Sequence, residues 1–375
     1  MPTASIAASP IDRPVVDSES SVSSSSCALP NTARIVHFQR KPFEGQHSIE
    51  VLFANLRDAM RDGDCEVVPA VLPFHSKGVL RRLANIMWAA RNEGDVNHIT
   101  GDVHFLALGL RGKRTILTIH DCHALERLRG VRRWLLKLFW FELPIRRAAV
   151  VTVISEETKR QLLRHVRVPE DKVVVIPDVA APIYRPFPRP LNTQSPRILH
   201  IGTKENKNLP RLIEALRGIS CRLHIIGPLN DSLRRQLDLS GIAYEAEAGL
   251  SEADMYRVYC EADIVTLVST YEGFGMPIIE AQWVERPVVT SNRSSMPEVA
   301  GQGACLVDPF DVNSIRQGLL RVISDAAYCD RLVELGRSNR ERFSVSDVAI
   351  RYVSLYQRLV TSPVREFGAS PICHR

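Results

Sequence analysis

The strongest constraint on the fold of this chain is an alternation of strand and helix patterns that occurs twice. Short apolar runs typical of buried parallel strands are separated by stretches with helical periodicity. The predicted strands of the first series are 34–38, 65–72, 96–100, 115–120, 150–154 and 172–176. Those of the second series are 197–201, 223–227, 264–268, 287–290 and 305–307. Each series predicts an α/β unit built on a parallel, doubly wound sheet.

Prolines mark the break between the two series. Six of them fall between residues 177 and 196, a composition that favours an extended linker. A chain of 375 residues is also large for one core. The expected division is a disordered serine-rich tail at 1–33, a first domain at 34–177, a linker at 178–196, a second domain at 197–345, a final helix at 346–361 and a tail at 362–375.

Composition excludes several classes of protein. The sequence has no run of 18 or more apolar residues, so no transmembrane helix is expected. The N-terminus lacks the pattern of a secretory signal. Eight cysteines occur singly, without a Cys-x-x-Cys pair, which favours buried thiols in a reducing compartment over disulfides or zinc. A cytoplasmic protein is expected. The basic residues form no long stripe with a recognised nucleic-acid fold, so no nucleic-acid partner is expected.

One predicted strand-to-helix junction carries two glutamates, in the run Ser269-Thr-Tyr-Glu272-Gly-Phe-Gly-Met-Pro-Ile-Ile-Glu280. Pro277 suits the first turn of a helix, so Glu272 is predicted in the loop after a strand and Glu280 in the helix. The two glycines let the backbone turn tightly and direct N–H groups toward the crevice. A helix N-terminus at this edge of a sheet favours phosphate, and carboxylates accept bonds from vicinal hydroxyls. Phosphate together with a polyol suggests a sugar nucleotide.

This run resembles the Glu-x7-Glu signature of retaining GT-B glycosyltransferases, specifically glycosyltransferase family 4. The other segments that resemble the family are Thr118-Ile-His120-Asp121, Thr152-Val-Ile-Ser155-Glu156-Glu-Thr158, Ile201-Gly-Thr-Lys-Glu-Asn-Lys207-Asn208-Leu, Pro287-Val-Val-Thr-Ser-Asn-Arg-Ser-Ser-Met-Pro-Glu298-Val-Ala-Gly and Val307-Asp-Pro-Phe-Asp311. The resemblance implies two Rossmann-like domains with parallel sheets that face each other across a cleft. It also implies that the final helix returns to the first domain.

The resemblance implies a role for each matching residue. Glu280 would hold the ribose hydroxyls of the donor, and Glu272 would contact the hydroxyls of the transferred sugar. Lys207 would neutralise the diphosphate leaving group, and His120 would lie near the sugar and the reaction centre. The expected catalytic groups are therefore His120, Lys207 and Glu272. The backbone N–H groups expected to assist at the donor are those of Gly273, Phe274, Gly275 and Met276.

Two segments of the donor site depart from the family pattern. Gly202, Thr203 and Lys204 are expected to line the site, but the family commonly has an arginine soon after the glycine, where this chain has Thr203. Lys204 could supply the second positive charge. Gly45 resembles the glycine loop near the donor phosphates, where the family often has two adjacent glycines.

Some matching residues also have a structural interpretation. Lys207 could be a solvated lysine before a helix. Asp121 is as suited to cap the following segment as to touch substrate, and Ser155 with Thr158 is interpreted as a helix cap.

The resemblance implies transfer with retention at the anomeric carbon, with a nucleotide-sugar as co-substrate and no cofactor or metal. Front-face attack and a nucleophilic Glu272 both stay open, the first being preferred. The one Asp-x-Asp sequence, Asp62-Gly-Asp64, is interpreted as a polar turn.

The acceptor is expected to be a glycan or a polyprenyl-linked or other glycolipid, in bacterial surface polysaccharide or glycolipid synthesis. Net charge is +6, and segments 79–88 and 127–147 combine arginines with aromatic residues and leucines. Such helices can lie on anionic lipid, at the inner face of the plasma membrane, or can be core helices with arginines on their exposed edge.

Three other classes of protein are alternatives to a glycosyltransferase. An oxidoreductase is disfavoured because no Gly-x-Gly-x-x-Gly follows an early strand. A sugar-nucleotide epimerase of the same architecture would convert a donor without any acceptor. A non-catalytic nucleotide-sugar binding protein would bind the donor without turnover.

Overall fold

The computed structural model describes residues 33–42, 48–61 and 65–361. Gly45, the Asp62–Asp64 turn, residues 1–32 and the predicted tail 362–375 lie outside the described residues. Ala33, predicted at the end of the first tail, is instead a buried residue at the start of the first strand. Within the described ranges, no helix combines the length and the apolar character needed to cross a bilayer.

The first half of the chain forms a six-stranded parallel sheet in the order β2-β1-β3-β4-β5-β6. Its strands are β1 (Ala33–Gln39), β2 (Cys65–Val71), β3 (Val96–Ile99), β4 (Thr115–Ile119), β5 (Val150–Val153) and β6 (Val173–Val175). Every residue of β3, β4 and β5 is buried, because both faces of the sheet are covered.

Within the described residues of the first half, six α-helices accompany this sheet. They are α1 (Ser48–Ala59), α2 (Val79–Arg91), α3 (His123–Arg127), α4 (Gly130–Leu136), α5 (Leu143–Arg147) and α6 (Glu156–His165). A π-helical turn, Lys137–Glu142, joins α4 to α5, and a 3-10 helix, His104–Leu108, follows β3.

The second half of the chain forms another six-stranded parallel sheet, in the order β12-β11-β10-β7-β8-β9. Its strands are β7 (Arg197–Ile201), β8 (Arg222–Ile226), β9 (Ala243–Glu247), β10 (Ile264–Leu267), β11 (Val288–Ser291) and β12 (Cys305–Val307). Taken from β9, the order is that of a dinucleotide-binding sheet, with its switch point between β7 and β10. Ligands of such sheets bind beyond the carboxyl ends of the strands at that point.

Helices cover both faces of the second sheet. They are α7 (Leu209–Leu216), α8 (Asp231–Ser240), α9 (Glu252–Glu261), α10 (Met276–Trp283), α11 (Met296–Ala300), α12 (Val312–Ser324) and α13 (Ala326–Arg340). A further helix, α14 (Val345–Thr361), ends the described chain.

The proline-rich segment between β6 and β7 contains neither helix nor strand. It is nevertheless held at several points. Val179 is buried in the core that includes α1 and α14, whereas Ala180 and Tyr184 are buried in a core of the second sheet. The segment therefore contacts both halves of the molecule along its length.

Helix α14 packs on the first sheet, although it follows the second sheet in the chain. Its buried face shares a core with α1 and with strand residues such as Ile35. The hydroxyl of Tyr356 lies 2.8 Å from His37 Nε2 and 2.9 Å from His98 Nδ1, two histidines that are paired in register across β1 and β3. His98 Nε2 continues this buried network to Thr118 Oγ1 at 2.7 Å. The contact is therefore apolar over most of its area and is fixed in register by hydrogen bonds.

Candidate active site

The segment between β7 and α7 carries Lys207 toward the carboxyl edge of the second sheet. Gly202 follows β7 with a φ of +96°, and a Cβ there would lie 2.8 Å from Cγ of Lys207. Glycine therefore allows both the turn and the passage of the lysine side chain. Asn208, left-handed at φ +63°, then starts α7 and donates its amide to the carbonyls of Val268 (2.9 Å) and Pro309 (2.7 Å). The buried asparagine thus ties this segment to the loop after β10.

The two residues after Gly202 point elsewhere. Thr203 Oγ1 donates to the carbonyl of Pro228 at 2.7 Å, so it joins the loop after β8. Lys204 is exposed. Neither side chain makes a contact with Lys207 or Glu272 that would assign it to the donor site, and their predicted donor role stays a prediction.

Lys207 and Glu272 form an ion pair across the switch point. Nζ of Lys207 lies 2.6 Å from Oε1 of Glu272, and the two side chains are 18% and 14% exposed. Ser269 Oγ donates to the same carboxylate oxygen at 2.7 Å. The pair is therefore positioned from both sides of the crevice and has enough exposure to meet a ligand.

The loop around Glu272 is held by serines that follow β11. Ser294 Oγ donates to the Glu272 carbonyl oxygen at 2.6 Å. Ser295 Oγ lies 3.0 Å from that oxygen and 2.7 Å from the carbonyl oxygen of Phe274. These contacts satisfy the carbonyls of Glu272 and Phe274 and fix the backbone of the loop. Sequence reasoning missed both serines, although their place after a strand of the same sheet was a usable signal.

Helix α10 begins where the proline pattern predicted. Gly275 precedes it with φ +110°, and Pro277 occupies the first turn, where its missing N–H is not needed. Phe274 is buried with its ring 5.6 Å from that of Phe343, and Met276 packs on the same core. The side chains of the loop thus anchor it, and the backbone is the part left for a ligand.

Glu280 lies one turn into α10 beside two buried tyrosines. The hydroxyl of Tyr259, on α9, donates to Oε2 of Glu280, and the Tyr184 ring packs edge-on to Tyr259 at 5.3 Å. Burial raises the pKa of Glu280 to about 7, although the Tyr259 hydroxyl and the charge of Lys207 act to lower it. Burial also raises the pKa of Tyr259 well above its ordinary value, so the phenol stays a donor. No local pattern in the sequence identified these tyrosines, which come from distant elements.

His120 follows β4 on the first sheet and is nearly buried. Its Nε2 donates to the carbonyl of Thr100 at 2.9 Å, and its Nδ1 lies 4.0 Å from Oδ1 of Asp178. Burial raises the pKa of Asp178 to about 6, while the charge of His120 acts to lower it. Asp121 is exposed and accepts from the backbone N–H of His123, the first residue of α3, at 3.0 Å.

The first half of the molecule touches the glutamate loop directly. A Cβ on Gly273 would lie 2.6 Å from the carbonyl oxygen of His120, so only glycine fits between the two backbones. The Gly273 carbonyl accepts from Ser155 Oγ at 3.0 Å and from Thr158 Oγ1 at 3.2 Å. Ser155 does cap α6, by accepting from the Thr158 N–H at 3.0 Å, but it also binds the opposite sheet's loop.

A second set of contacts joins the two halves beside this loop. The carboxylate of Glu298 accepts from the first backbone N–H groups of α6, those of Glu156 (2.8 Å) and Glu157 (3.2 Å). The Tyr271 hydroxyl donates to Gln161 Oε1 at 3.0 Å. The carboxylate of Glu298 is electrostatically favourable at the N-terminus of α6. Together with the Tyr271 hydrogen bond, it joins the two halves of the molecule at one end of the cleft.

Comparison with known proteins agrees with this geometry. Residues 43–178 match the family described as Glycosyltransferase Family 4, and residues 195–325 match Glycosyl transferases group 1. The O-antigen chain mannosyltransferase B of Escherichia coli is 25% identical over 303 residues, which are 72% of this chain and 77% of that protein. The MMP alpha-(1->4)-mannosyltransferase of Mycolicibacterium hassiacum is 33% identical over 138 residues, 36% of this chain and 33% of that protein.

A solved structure has the same architecture. Anabaena HepE, in complex with UDP and glucose, superposes with a TM-score of 0.71 at 15% identity, and the match covers 86% of this chain and 99% of HepE. HepE at this identity supports the fold, and the two family matches, which together span more than two thirds of the sequence, support the family. The chain is a glycosyltransferase with the GT-B fold and belongs to glycosyltransferase family 4, group 1.

Proposed function

We propose that this glycosyltransferase moves a hexose from a nucleoside diphosphate sugar to a glycan or lipid-linked acceptor, with retention and without a metal ion. The observation that carries the proposal is the Lys207–Glu272 pair, 2.6 Å apart at the switch point of the second sheet, with Glu280 one turn into the next helix. This arrangement offers one cation, two carboxylates and a helix N-terminus to one ligand. A nucleotide-sugar has the matching diphosphate, ribose and sugar hydroxyls.

Mannose is the sugar that we propose first. Two relatives, from Escherichia coli and Mycolicibacterium hassiacum, are named mannosyltransferases. The HepE structure holds UDP and glucose, so the base is left to experiment.

Lys207 would act on the leaving group. As the glycosidic bond to the diphosphate breaks, negative charge grows on the phosphate oxygens, and a fixed ammonium stabilises that charge more in the transition state than in the ground state. The N-terminus of α10 adds backbone N–H groups to the same end of the site. In this proposal the protein itself supplies the positive charge that a metal supplies elsewhere.

Glu272 would act as a ligand of the sugar. Its Oε1 already accepts from Lys207 and Ser269, which lowers its nucleophilicity and fixes its orientation. Both features suit a carboxylate that binds hydroxyls and stabilises positive charge at the anomeric carbon. We therefore favour attack by the acceptor on the face that the diphosphate leaves.

His120 and Asp178 would form the first-domain wall of the site. Because Nε2 of His120 donates to a carbonyl, Nδ1 is the acceptor in the neutral imidazole and faces Asp178. The pair can orient a hydroxyl of the bound sugar. The acceptor would enter from the same side. The enzyme would act in bacterial surface polysaccharide or glycolipid synthesis, at the cytoplasmic face of the membrane.

The first test is a thermal-shift titration with UDP, GDP, ADP and CMP in the presence of EDTA. A nucleotide that binds only the folded state raises its melting temperature by mass action. We expect a shift with one nucleoside diphosphate in the native protein and none in Glu280→Ala, whereas the surface variant Glu214→Ala on α7 should respond like the native protein. Normal affinity in folded Glu280→Ala would refute the ribose assignment.

The second test measures transfer from the matching nucleotide-sugar, GDP-mannose first, to a mannose-bearing acceptor. Retention is read from the anomeric configuration of the product. Release of nucleotide that depends on acceptor supports a transferase, conversion of the donor alone supports an epimerase, and binding without turnover supports a non-catalytic binding protein.

A further inference from the structure

The first half of the molecule contains a groove of about 700 Å³ outside the site described above. Its walls are α2, the 3-10 helix after β3, and the segment made of α4 and the π-helical turn. The side chains that form them are almost all apolar and include Leu83, Ile86, Phe105, Leu135 and Trp140. Its volume lies in the range of about 300–1,000 Å³ that is usual for sites of small organic ligands.

Large apolar side chains continue from the groove onto the surface. Val79 and Leu80 at the start of α2 are 69% and 82% exposed, and Val131 and Trp134 on α4 are 72% and 60% exposed. Exposed apolar residues that cluster around a concave site are characteristic of contact surfaces, whereas isolated ones are not. Packing in the core of the domain therefore does not account for the apolar side chains on the exposed face of α2 and α4.

The charge around the groove is mainly positive. Segments 79–91 and 128–142 contain seven arginines and lysines and one acidic residue, Glu142, which pairs with Lys137 at 3.3 Å. Two of the arginines, Arg82 and Arg132, line the groove itself. Arg82 stacks over the Trp140 ring at 4.8 Å and donates from Nε to the Ser76 carbonyl at 3.1 Å, so its guanidinium is held at the rim. Cations at the edge of an apolar groove complement an anionic head with an apolar chain.

The groove lies next to the carboxyl edge of the first sheet. Thr100, whose carbonyl binds His120, is followed four residues later by His104, the first residue of the 3-10 wall. His104 Nδ1 in turn lies 2.9 Å from the carbonyl oxygen of Trp140. The short stretch from Thr100 to His104 therefore connects His120, on the wall of the proposed sugar site, to the 3-10 helix that forms one wall of the groove.

From this juxtaposition we propose that the groove binds the apolar chain of an isoprenyl or acyl phosphate, with Arg82 and Arg132 on its phosphate. The inference rests on the proposed function, because it names the class of acceptor: a lipid phosphate or diphosphate whose glycan end reaches the cleft. A single chain suits the concave shape of the groove better than a flat membrane surface does. The exposed residues around it would then cover the part of the chain outside the groove.

The test uses farnesyl phosphate below its micelle concentration, without donor, and follows tryptophan fluorescence. The double variant Leu83→Gln/Leu135→Gln makes the groove polar at two partly exposed positions, and Leu239→Gln on α8 is the matched exposed control. We expect the double variant to lose about tenfold or more in affinity and the control to bind like the native protein. Equal binding by the double variant would overturn the proposal.

The arginines are tested separately with Arg132→Gln, with Arg234→Gln on α8 as the control for loss of one surface charge. Farnesyl phosphate should bind more tightly than farnesol, and Arg132→Gln alone should reduce this preference by about tenfold. If farnesol and farnesyl phosphate bind equally, the phosphate contact is refuted. If inorganic phosphate competes as well as farnesyl phosphate does, the apolar chain contributes nothing and the proposal fails.

Two further measurements distinguish other occupants. Light scattering that shows a dimer in the native protein and a monomer in Leu83→Gln/Leu135→Gln would identify the groove as an interface between copies of this chain. Binding to phosphatidylglycerol vesicles as tight as to vesicles that also contain farnesyl phosphate would identify a membrane surface. Either result would overturn the proposal. Nucleotide thermal shifts on the same variants keep the two proposals apart, since farnesyl phosphate binding without any nucleotide response would refute the donor site and leave the groove intact.

Discussion

Replacing Glu280 by glutamine should stabilise the folded protein at pH 8 while it weakens donor binding. Glu280 is partly buried beside Tyr259 and Tyr184, and burial raises its pKa from the ordinary 4.5 to about 7. Each tenfold change in proton affinity corresponds to about 1.4 kcal/mol. The ionised carboxylate therefore lowers the free energy of unfolding by about 3 kcal/mol at pH 8, an energetic cost that the ribose hydroxyls would offset on binding.

The sign follows from comparing the folded and unfolded states. Well below pH 4.5 the carboxyl is protonated in both states and has no effect on stability. Between pH 4.5 and 7 the unfolded chain ionises first, so the free energy of unfolding falls as the pH rises. Above pH 7 both states are ionised and the loss is constant. Glu280→Gln removes this titration because the amide is neutral at every pH.

Calorimetry without ligand, at pH 5 and pH 8, measures the effect. We expect Glu280→Gln to raise the melting temperature of the second domain by roughly 6–12 °C at pH 8 and by much less at pH 5. Glu214→Gln, on the exposed face of α7, should change neither value appreciably. A Glu280→Gln protein that is no more stable than the native one at pH 8 would refute the claim that burial of this carboxylate is costly.

Three further predictions concern the cleft and the α14 contact. Gly273→Ala should reduce transfer by about 100-fold and weaken the nucleotide thermal shift, because its Cβ would lie 2.6 Å from the backbone carbonyl of His120 and would displace the loop proposed to face the donor; normal turnover would contradict it. Lys207→Met should lower kcat by about 100–1,000-fold, and the exposed Lys204→Met should lower it by much less; equal losses would remove the distinction between the two lysines. Tyr356→Phe should lower the free energy of unfolding by about 2 kcal/mol at pH 7, measured with urea, since two buried histidines lose their shared hydroxyl; an unchanged midpoint would show that the network adds no stability.

Sequence patterns predicted the fold well because parallel sheets need buried apolar strands. Eleven of the twelve strands in the described ranges have a predicted counterpart, and both sheets are parallel, as predicted. The missing strand, β9, is an edge strand with the sequence Ala-Tyr-Glu-Ala-Glu that pairs only with β8. No residue of β9 is fully buried, so the strand does not need a continuous apolar run. Its sequence therefore lacks the pattern by which the other strands were predicted.

The site was predictable where one local segment carries it and not where distant segments meet. The strand-to-helix junction identified Glu272, Glu280 and the start of α10, because proline and glycine determine the backbone at those positions. The neighbours of Glu280 and His120 come from other elements. Tyr259 of α9 and Tyr184 of the linker lie beside Glu280, and Asp178, the first residue of the linker, lies beside His120. Only the assembled fold brings them together. The role of Ser155 was likewise underestimated, since its second bond is made to the other sheet.

The return of α14 to the first sheet has a consequence for how the protein is made. The first sheet ends at β6, but the helix that completes its core, α14, ends roughly 180 residues later at Thr361. At about 5–20 residues per second, the ribosome needs on the order of ten to forty seconds to supply it. During that interval His37, His98 and the apolar face of α1 lack their cover. The second sheet has all of its strands by Val307, so it can finish folding first, although it is synthesised second.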